Sequence, residues 1–128
     1  MEKVVITGMG TVNPLGLNVE ETWANLVNGV SGVGPITQFD STALNVHIAA
    51  EVKNFKPENF MDGKEARRRD RFEQLGAAAA RMALENSGLE VSEKNAARIG
   101  VIVSAAIGGI RSLEEAVITN QTEGPRRV

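Results

Sequence analysis

Apolar residues fall along this chain in two alternating patterns: short continuous runs, and longer stretches that repeat every three to four positions. The first suits strands and the second helices. Residues 4–7 form a continuous apolar run of the kind carried by a strand covered on both faces. A helix follows over 19–28, with Asn18 at the N-cap, Glu21 three residues on, Trp23, Leu26 and Val27 as its apolar stripe, and Gly29 at its close. The turn-rich stretch GVSGVGPITQFD leads into a second, partly alternating strand over 46–52. Pro57 sets up a single helical turn over 55–61, with Phe55 and Phe60 as anchors. The longest helix is expected over 62–87, ending at Gly88 with Leu89 packed behind it. A third strand over 99–104 and a last helix over 110–120 complete the order strand, helix, strand, helix, strand, helix. That order predicts an α/β layer protein. No repeat, linker or low-complexity tract divides the chain, so it reads as one unit.

The first strand runs into VVITGMGTVNPLG, which resembles a phosphate-binding turn. A dinucleotide fingerprint needs a third glycine for close helix packing, and a helix N-terminus directly behind it. Gly8 and Gly10 fit, but Asn13 stands in the third place, Pro14 follows, and the next helix waits until Asn18. No Lys or Arg lies between Lys3 and Lys53 to meet a phosphate charge. A tight turn leaving a buried strand is the preferred reading.

The 128 residues are enough for one domain with a real core, and 42% hydrophobic with 23% charged residues is a globular composition. A net charge of −2 argues against a general nucleic-acid binder. The absence of cysteine excludes a disulfide framework and a thiolate metal site. No run of 18 apolar residues spans a membrane, and MEKVVITG carries no signal-peptide pattern, so a cytoplasmic protein is expected. The final GPRRV completes no element and reads as a cut within a longer polypeptide.

The long helix is the most informative segment. Gly76 and AAAARMA give its middle very small side chains, which let other backbones approach it closely. Its front, DGKEARRRDR, holds five cations in the eight residues from Lys64 to Arg71. Asp62 caps the start and Glu65 reaches back. Lys64, Arg67, Arg68 and Arg71 then fall at i, i+3, i+4 and i+7, one stripe of a continuous helix. Cations near a helix N-terminus oppose its dipole, and an anionic partner would relieve that cost. Two readings stay open: a solvated face partly neutralised by Glu65, Asp70 and Glu73, and a docking patch for an acidic protein or a phosphate group.

Catalytic constellations fail on the residues themselves. His47 is the only histidine, lies in a strand-like stretch, and has no nucleophile elbow to serve. A core or edge histidine is the better reading. The carboxylates are scattered along helices without metal-ligand spacing, so no metal, cofactor or catalytic residue is assigned.

Five segments in colinear order carry a resemblance: VVITGMGTVNPLG, KEARRRDRFEQLGAAAA, NSGLE, ARIGVIVSAAIGGI and GPRRV. Together they resemble the N-terminal part of the β-ketoacyl-[acyl carrier protein] synthase II family, the elongating condensing enzymes of bacterial fatty-acid synthesis. The likeness runs the length of the chain but covers only the opening third of a family member. It implies an α/β fold that is the N-terminal part of a thiolase-like layered αβαβα arrangement, with residues 1–128 the first segment of the N-terminal domain. In that family the first glycine turn is structural and binds no nucleotide. The resemblance implies a cytoplasmic, homodimeric acyltransferase. It loads an acyl group from acyl carrier protein onto a cysteine, decarboxylates a malonyl thioester and joins the two by Claisen condensation. No cofactor, nucleic acid or membrane is implied.

The family's cysteine and histidines belong after Val128, so none maps here and His47 does not replace them. The family's basic stripe helps dock the acidic carrier, and its positions match Lys64, Arg67 and Arg68. Ile107, in the AIGG turn, matches an isoleucine at the far end of the acyl pocket. Two departures stand out. The family commonly has a Gly-Ser-Gly-Ile-Gly-Gly run where this chain reads VSAAIGG, which puts bulkier residues before Ile107. Arg69 stands where an apolar residue is common, which calls for a buried partner or a shifted helix. A polyketide-type ketosynthase or its chain-length partner stays open within the family. Outside it, a free-standing carrier-binding module or an inert fragment stays open.

A chain without cysteine has no thiol to acylate. Exposed alone to an acyl thioester or a cysteine-directed inhibitor, these 128 residues should therefore show an unchanged intact mass; a covalent acyl adduct would contradict this reading.

Overall fold

The computed structural model describes residues 3–127. Along them lie α1 (Val19–Val27), β1 (Val33–Pro35), β2 (Ile48–Ala50), α2 (Gly63–Ala66), α3 (Arg71–Ser87) and α4 (Ile110–Thr122). Single 3-10 turns stand at Pro57–Asn59, Ala96–Arg98 and Pro125–Arg127.

The helix signals in the sequence have the expected physical causes. The Asn18 side chain caps α1 by accepting from the Glu21 amide at 2.8 Å, and the Glu21 carboxylate accepts from the Leu17 amide at 2.8 Å. Gly29, at φ 66, and Gly88, at φ 64, take the left-handed conformation just after α1 and α3. The turn at Pro57–Asn59 is anchored as expected, with the Phe55 and Phe60 rings stacked at 5.7 Å between centroids.

Helix α3 is the element against which the rest is set. Ala78, on its small-residue face, is completely buried. Gly8 and Gly10 lie directly on that face. A Cβ at Gly8 would run into the Ala83 carbonyl and stand 2.6 Å from the Ser87 nitrogen. One at Gly10 would run into the Ala79 carbonyl and stand 2.6 Å from the Ala83 nitrogen. The Met9 amide donates to the Asn86 side chain at 3.0 Å, fixing the segment along the helix. Further up α3, Val103 lies over Gly76, its Cγ1 3.6 Å from where a Cβ would be.

The rest of the first turn is closed on itself. Asn13 and Gly16 exchange backbone hydrogen bonds at 2.9 and 3.1 Å, and the Asn13 side chain accepts from the Leu15 amide at 2.8 Å. Asn13 also donates to the Thr11 and Thr22 hydroxyls. The amides of Met9, Asn13, Leu15, Gly16 and Leu17 are thus engaged within the protein.

Several expected elements differ. The runs over 4–7 and 99–104 form no strand and join no ladder among the described residues. Val4 is 97% and Ile102 96% exposed. A strand apolar on both faces is held by neighbours along both edges and layers on both sides, and residues 3–127 supply the α3 layer alone. The strand expected over 46–52 is the shorter β2. It pairs antiparallel with β1, in the register Val33 to Ala50, Gly34 to Ala49 and Pro35 to Ile48. β1 lies inside the stretch read as turns, where glycine and proline hid it. Beyond the sheet, the Glu51 carboxylate accepts from the hydroxyl and amide of Thr37, and these bonds hold its carboxyl below the usual pKa. The last helix runs two residues further than expected, to Thr122.

The helix expected over 62–87 is two helices. α2 stops at Ala66, residues 67–70 turn, and α3 begins at Arg71. The accessible surface of 10603 Å² far exceeds the roughly 6,600 Å² that size scaling gives a folded monomer of this length. Among the described residues the buried apolar side chains are Phe55, Ala66 and Ala78, while Trp23, Leu26 and Val27 of the α1 stripe are all exposed.

Because a methyl group at Gly10 would meet helix backbone rather than a movable side chain, Gly10→Ala should destabilise the protein by about 1–3 kcal/mol, the usual cost of overpacking. Gly100→Ala, where nothing lies within 4 Å, is the control and should change little. Thermal melting of the two variants side by side checks the contrast; equal melting would remove the close approach from the account.

Candidate functional site

The sequence singled out Lys64, Arg67, Arg68 and Ile107, and the break between α2 and α3 decides where each stands. Asp62 caps α2 by accepting from the amides of Lys64 and Glu65 at 2.8 and 3.3 Å. The helix then ends because a second start lies four residues on. The Glu73 carboxylate accepts from the Asp70 amide at 3.0 Å, the reach-back of a capping box that begins α3. The Gln74 amide group closes the turn, donating to the carbonyls of Ala66 at 2.8 Å and Arg69 at 3.0 Å. Asp-x-x-Glu at 70–73, ahead of an apolar run, was the sequence signal for this break.

The break corrects the expected stripe. Lys64 lies in α2, Arg67 is its C-cap, Arg68 lies in the turn and Arg71 opens a new helix, so no continuous i, i+3, i+4, i+7 face exists. Arg71 is held against Phe55 instead. Its guanidinium stacks over the Phe55 ring at 5.0 Å from the centroid and donates to the Val52 carbonyl at 3.2 Å. Arg69 has no buried partner; it spans the break, pairing with Glu65 of α2 at 3.1 Å and Glu73 of α3 at 3.6 Å. Both pairs are about half exposed, so each is worth about 1 kcal/mol or less.

With Glu65 and Glu73 both on Arg69, the guanidinium and ammonium groups of Lys64, Arg67 and Arg68 meet no carboxylate within ion-pair distance among the described residues. All three are exposed. Lys64 and Arg68 border one open cavity of about 510 Å³ together with Asp62, Glu65 and Arg69, and Arg67 stands outside its lining. Uncompensated cations on an exposed turn form a surface that attracts anions and is weakened by salt.

Ile107 is 74% exposed, on the bend that leads into α4. Its turn is held by the front of α3. Gly108 lies over the Phe72 ring, with ring atoms 3.4 and 3.5 Å from where a Cβ would be. Gly109, the N-cap of α4, lies against the Asp70 carboxylate, which also accepts from the Ser112 hydroxyl. Asp70, read from the sequence only as a neutralising charge, and Phe72 therefore join the cationic turn to the Ile107 turn. His47 belongs to neither. It is exposed beyond β2, its carbonyl accepting from the Ile36 amide at 2.9 Å and its Nδ1 3.5 Å from the Ser41 hydroxyl.

No described helix is long and apolar enough to cross a membrane. The architecture is that of a mixed helix-and-sheet segment from the opening part of a thiolase-like layered fold. The chain belongs to the β-ketoacyl synthase family: the model of the β-ketoacyl synthase N-terminal domain matches residues 1–128. It is 46% identical to 3-oxoacyl-[acyl-carrier-protein] synthase 2 of Staphylococcus aureus (strain COL) over 127 residues, covering 99% of this chain and 31% of that protein. It is 46% identical to the protein of the same name from Coxiella burnetii (strain RSA 493 / Nine Mile phase I) over 130 residues, again 31% of the relative. The chain thus spans about a third of the length of the curated relatives it matches. Among solved structures, the ishigamide ketosynthase/chain length factor superposes with a TM-score of 0.76 at 30% identity, over 96% of this chain and 30% of that one. A type II PKS acyl-carrier protein in complex with its ketosynthase gives a TM-score of 0.71 at 23% identity, over 97% of this chain and 32% of that one, a likeness of fold.

Proposed function

We propose that residues 1–128 are the first segment of the N-terminal domain of a β-ketoacyl-[acyl carrier protein] synthase of fatty-acid synthesis. The observation that carries this reading is the end-to-end match to the family together with 46% identity to two 3-oxoacyl-[acyl-carrier-protein] synthases 2. The whole enzyme is a cytoplasmic homodimer that works on acyl and malonyl thioesters of acyl carrier protein. An acyl group passes from the carrier thioester to a cysteine, with release of the carrier thiol. Loss of carbon dioxide from the malonyl unit then leaves a carbanion equivalent, which attacks the acyl carbonyl and expels the cysteine thiolate. The nucleophile lies outside these residues, since the chain has no cysteine.

In this scheme the chain supplies scaffold, carrier docking and pocket lining. Lys64, Arg67 and Arg68 dock the acidic carrier, and their freedom from carboxylate partners among the described residues supports the role. Ile107 closes the acyl pocket. A second reading, a polyketide-type ketosynthase, is favoured by the TM-score of 0.76 to the ishigamide ketosynthase/chain length factor. Product analysis separates the two: single elongations of saturated acyl primers against repeated condensations that keep their keto groups.

In the full-length enzyme, reversing Arg67 and Arg68 to Glu should raise KM for carrier-bound substrate about tenfold or more, in keeping with several kcal/mol for like-charge contacts, with little change for a small thioester mimic. Added salt should weaken the wild-type preference and spare the variant. An unchanged KM and salt response would return these residues to the role of solvated charges. Ile107→Phe should shorten the primers accepted, because each excluded methylene forfeits about 0.8 kcal/mol of burial. Equal losses on long and short primers would remove Ile107 from the pocket.

A further inference from the structure

The N-cap of α4 is Gly109, which has no side chain to receive the first-turn donors of its own helix. The space where such a side chain would be is filled from another helix. A Cβ at Gly109 would collide with Oδ2 and Cγ of the Asp70 carboxylate, and the hydroxyl of Ser112, in the first turn of α4, donates to Asp70. Asp70 is also the N-cap of α3, tied by its own amide to Glu73. One carboxylate thus stands at the N-terminal ends of two helices, where a negative charge is favourable to both dipoles. On one side of it, Arg67 and Arg68 carry free cations; on the other, two residues before Gly109, stands Ile107.

We propose that Asp70 is a positioning residue for primer length: it holds the Gly108–Gly109 backbone against the front of α3 and so fixes how far Ile107 projects toward the acyl chain. The proposal rests on Ile107 as the pocket residue. Losing Asp70 frees the turn that carries Ile107 while leaving Lys64, Arg67 and Arg68 charged. The Phe72 ring under Gly108 remains as a partial support. Adding a methyl group at Gly109 displaces the same turn from the other side, so the two changes act on one contact and should not add.

The test uses the full-length enzyme and compares kcat/KM for short and long acyl primers on carrier protein. Loss of a charged hydrogen-bond acceptor from this exposed contact is worth roughly three- to tenfold. Asp70→Ala should therefore change the ratio of long to short primer activity by about that factor, with carrier KM unchanged. Ser112→Ala, an exposed change that removes only the donor, should move the ratio the same way and less far. Asp70→Asn, which keeps an acceptor oxygen, should restore most of the wild-type ratio. Gly109→Ala should shift the ratio by itself and add little on top of Asp70→Ala. Equal losses on long and short primers in Asp70→Ala and Ser112→Ala, or full additivity of Asp70→Ala with Gly109→Ala, would overturn the proposal. Ile107→Phe run alongside separates the failures. If it shifts the primer ratio while the Asp70 and Ser112 variants do not, the positioning role falls and the pocket reading stands; if it leaves the ratio unchanged, both fall.

Discussion

A backbone can lie directly on a helix only where the helix offers side chains shorter than the gap and the passing chain has no Cβ to fill it. Both conditions meet where Gly8 and Gly10 cross α3 at Ala79 and Ala83. The contact depends on steric fit, so it tolerates little variation, and it fixes the height and direction at which the first segment runs. Met9 adds a hydrogen bond to Asn86, and Val103 lies over Gly76 of the same helix. α3 is thus the common floor of two segments far apart in sequence. Its run of glycine and alanines weakens any core it could build by itself and lets it serve as that floor.

The front of α3 is organised by hydrogen bonds and charge instead. A helix beginning at Arg71 needs acceptors for its first amides, and a helix ending at Ala66 needs donors for its last carbonyls. Asp70, Glu73 and Gln74 answer both needs within five residues. The consequence for charge is indirect. Arg69 takes both nearby glutamates, Arg71 takes an aromatic ring and a carbonyl, and Lys64, Arg67 and Arg68 are left facing solvent. A continuous helix would have made a single stripe with Arg71 in it. The break sorts the cations into those that hold the fold and those that do not.

What the sequence disclosed follows the same division. Caps, glycine closures and the stacked phenylalanines were legible because each is a local device whose partners lie within a few residues. The Asp70–Glu73 box was equally local and went unread because Asp62 and Glu65 had already supplied a start for the same helix. β1 was hidden by Gly34 and Pro35, whose propensities say turn while their pairing with β2 says strand. The runs over 4–7 and 99–104 were legible as composition and not as structure. Apolar character on both faces specifies neighbours on both sides, and a ladder exists only when those neighbours are present. The contact of Asp70 with Ser112 could not be read at all, since 42 residues separate the partners. The glycines at 108 and 109 hinted only that something approaches closely there.

Burial then bears on how function is distributed. The chain exposes far more surface than a self-contained domain of its length, and its uncovered residues are the apolar ones: Val4, Val5 and Ile6 on one segment, Val101, Ile102 and Val103 on the other. Hydrophobic surface of that extent is stabilised only by being covered. The curated relatives it matches run to about three times this length, and in the reading advanced above their further residues supply the cover and the reacting groups. Carrier docking and pocket closure, in the reading advanced above, lie on the part of the chain that is ordered by local hydrogen bonds rather than by that cover. The two turns lie on either side of Asp70, whose carboxylate meets Gly109 and Ser112 while Gln74 closes the cationic turn. On the proposal made for Asp70, a docking surface and a turn that sets substrate depth keep their spacing because one carboxylate stands between the two helix ends.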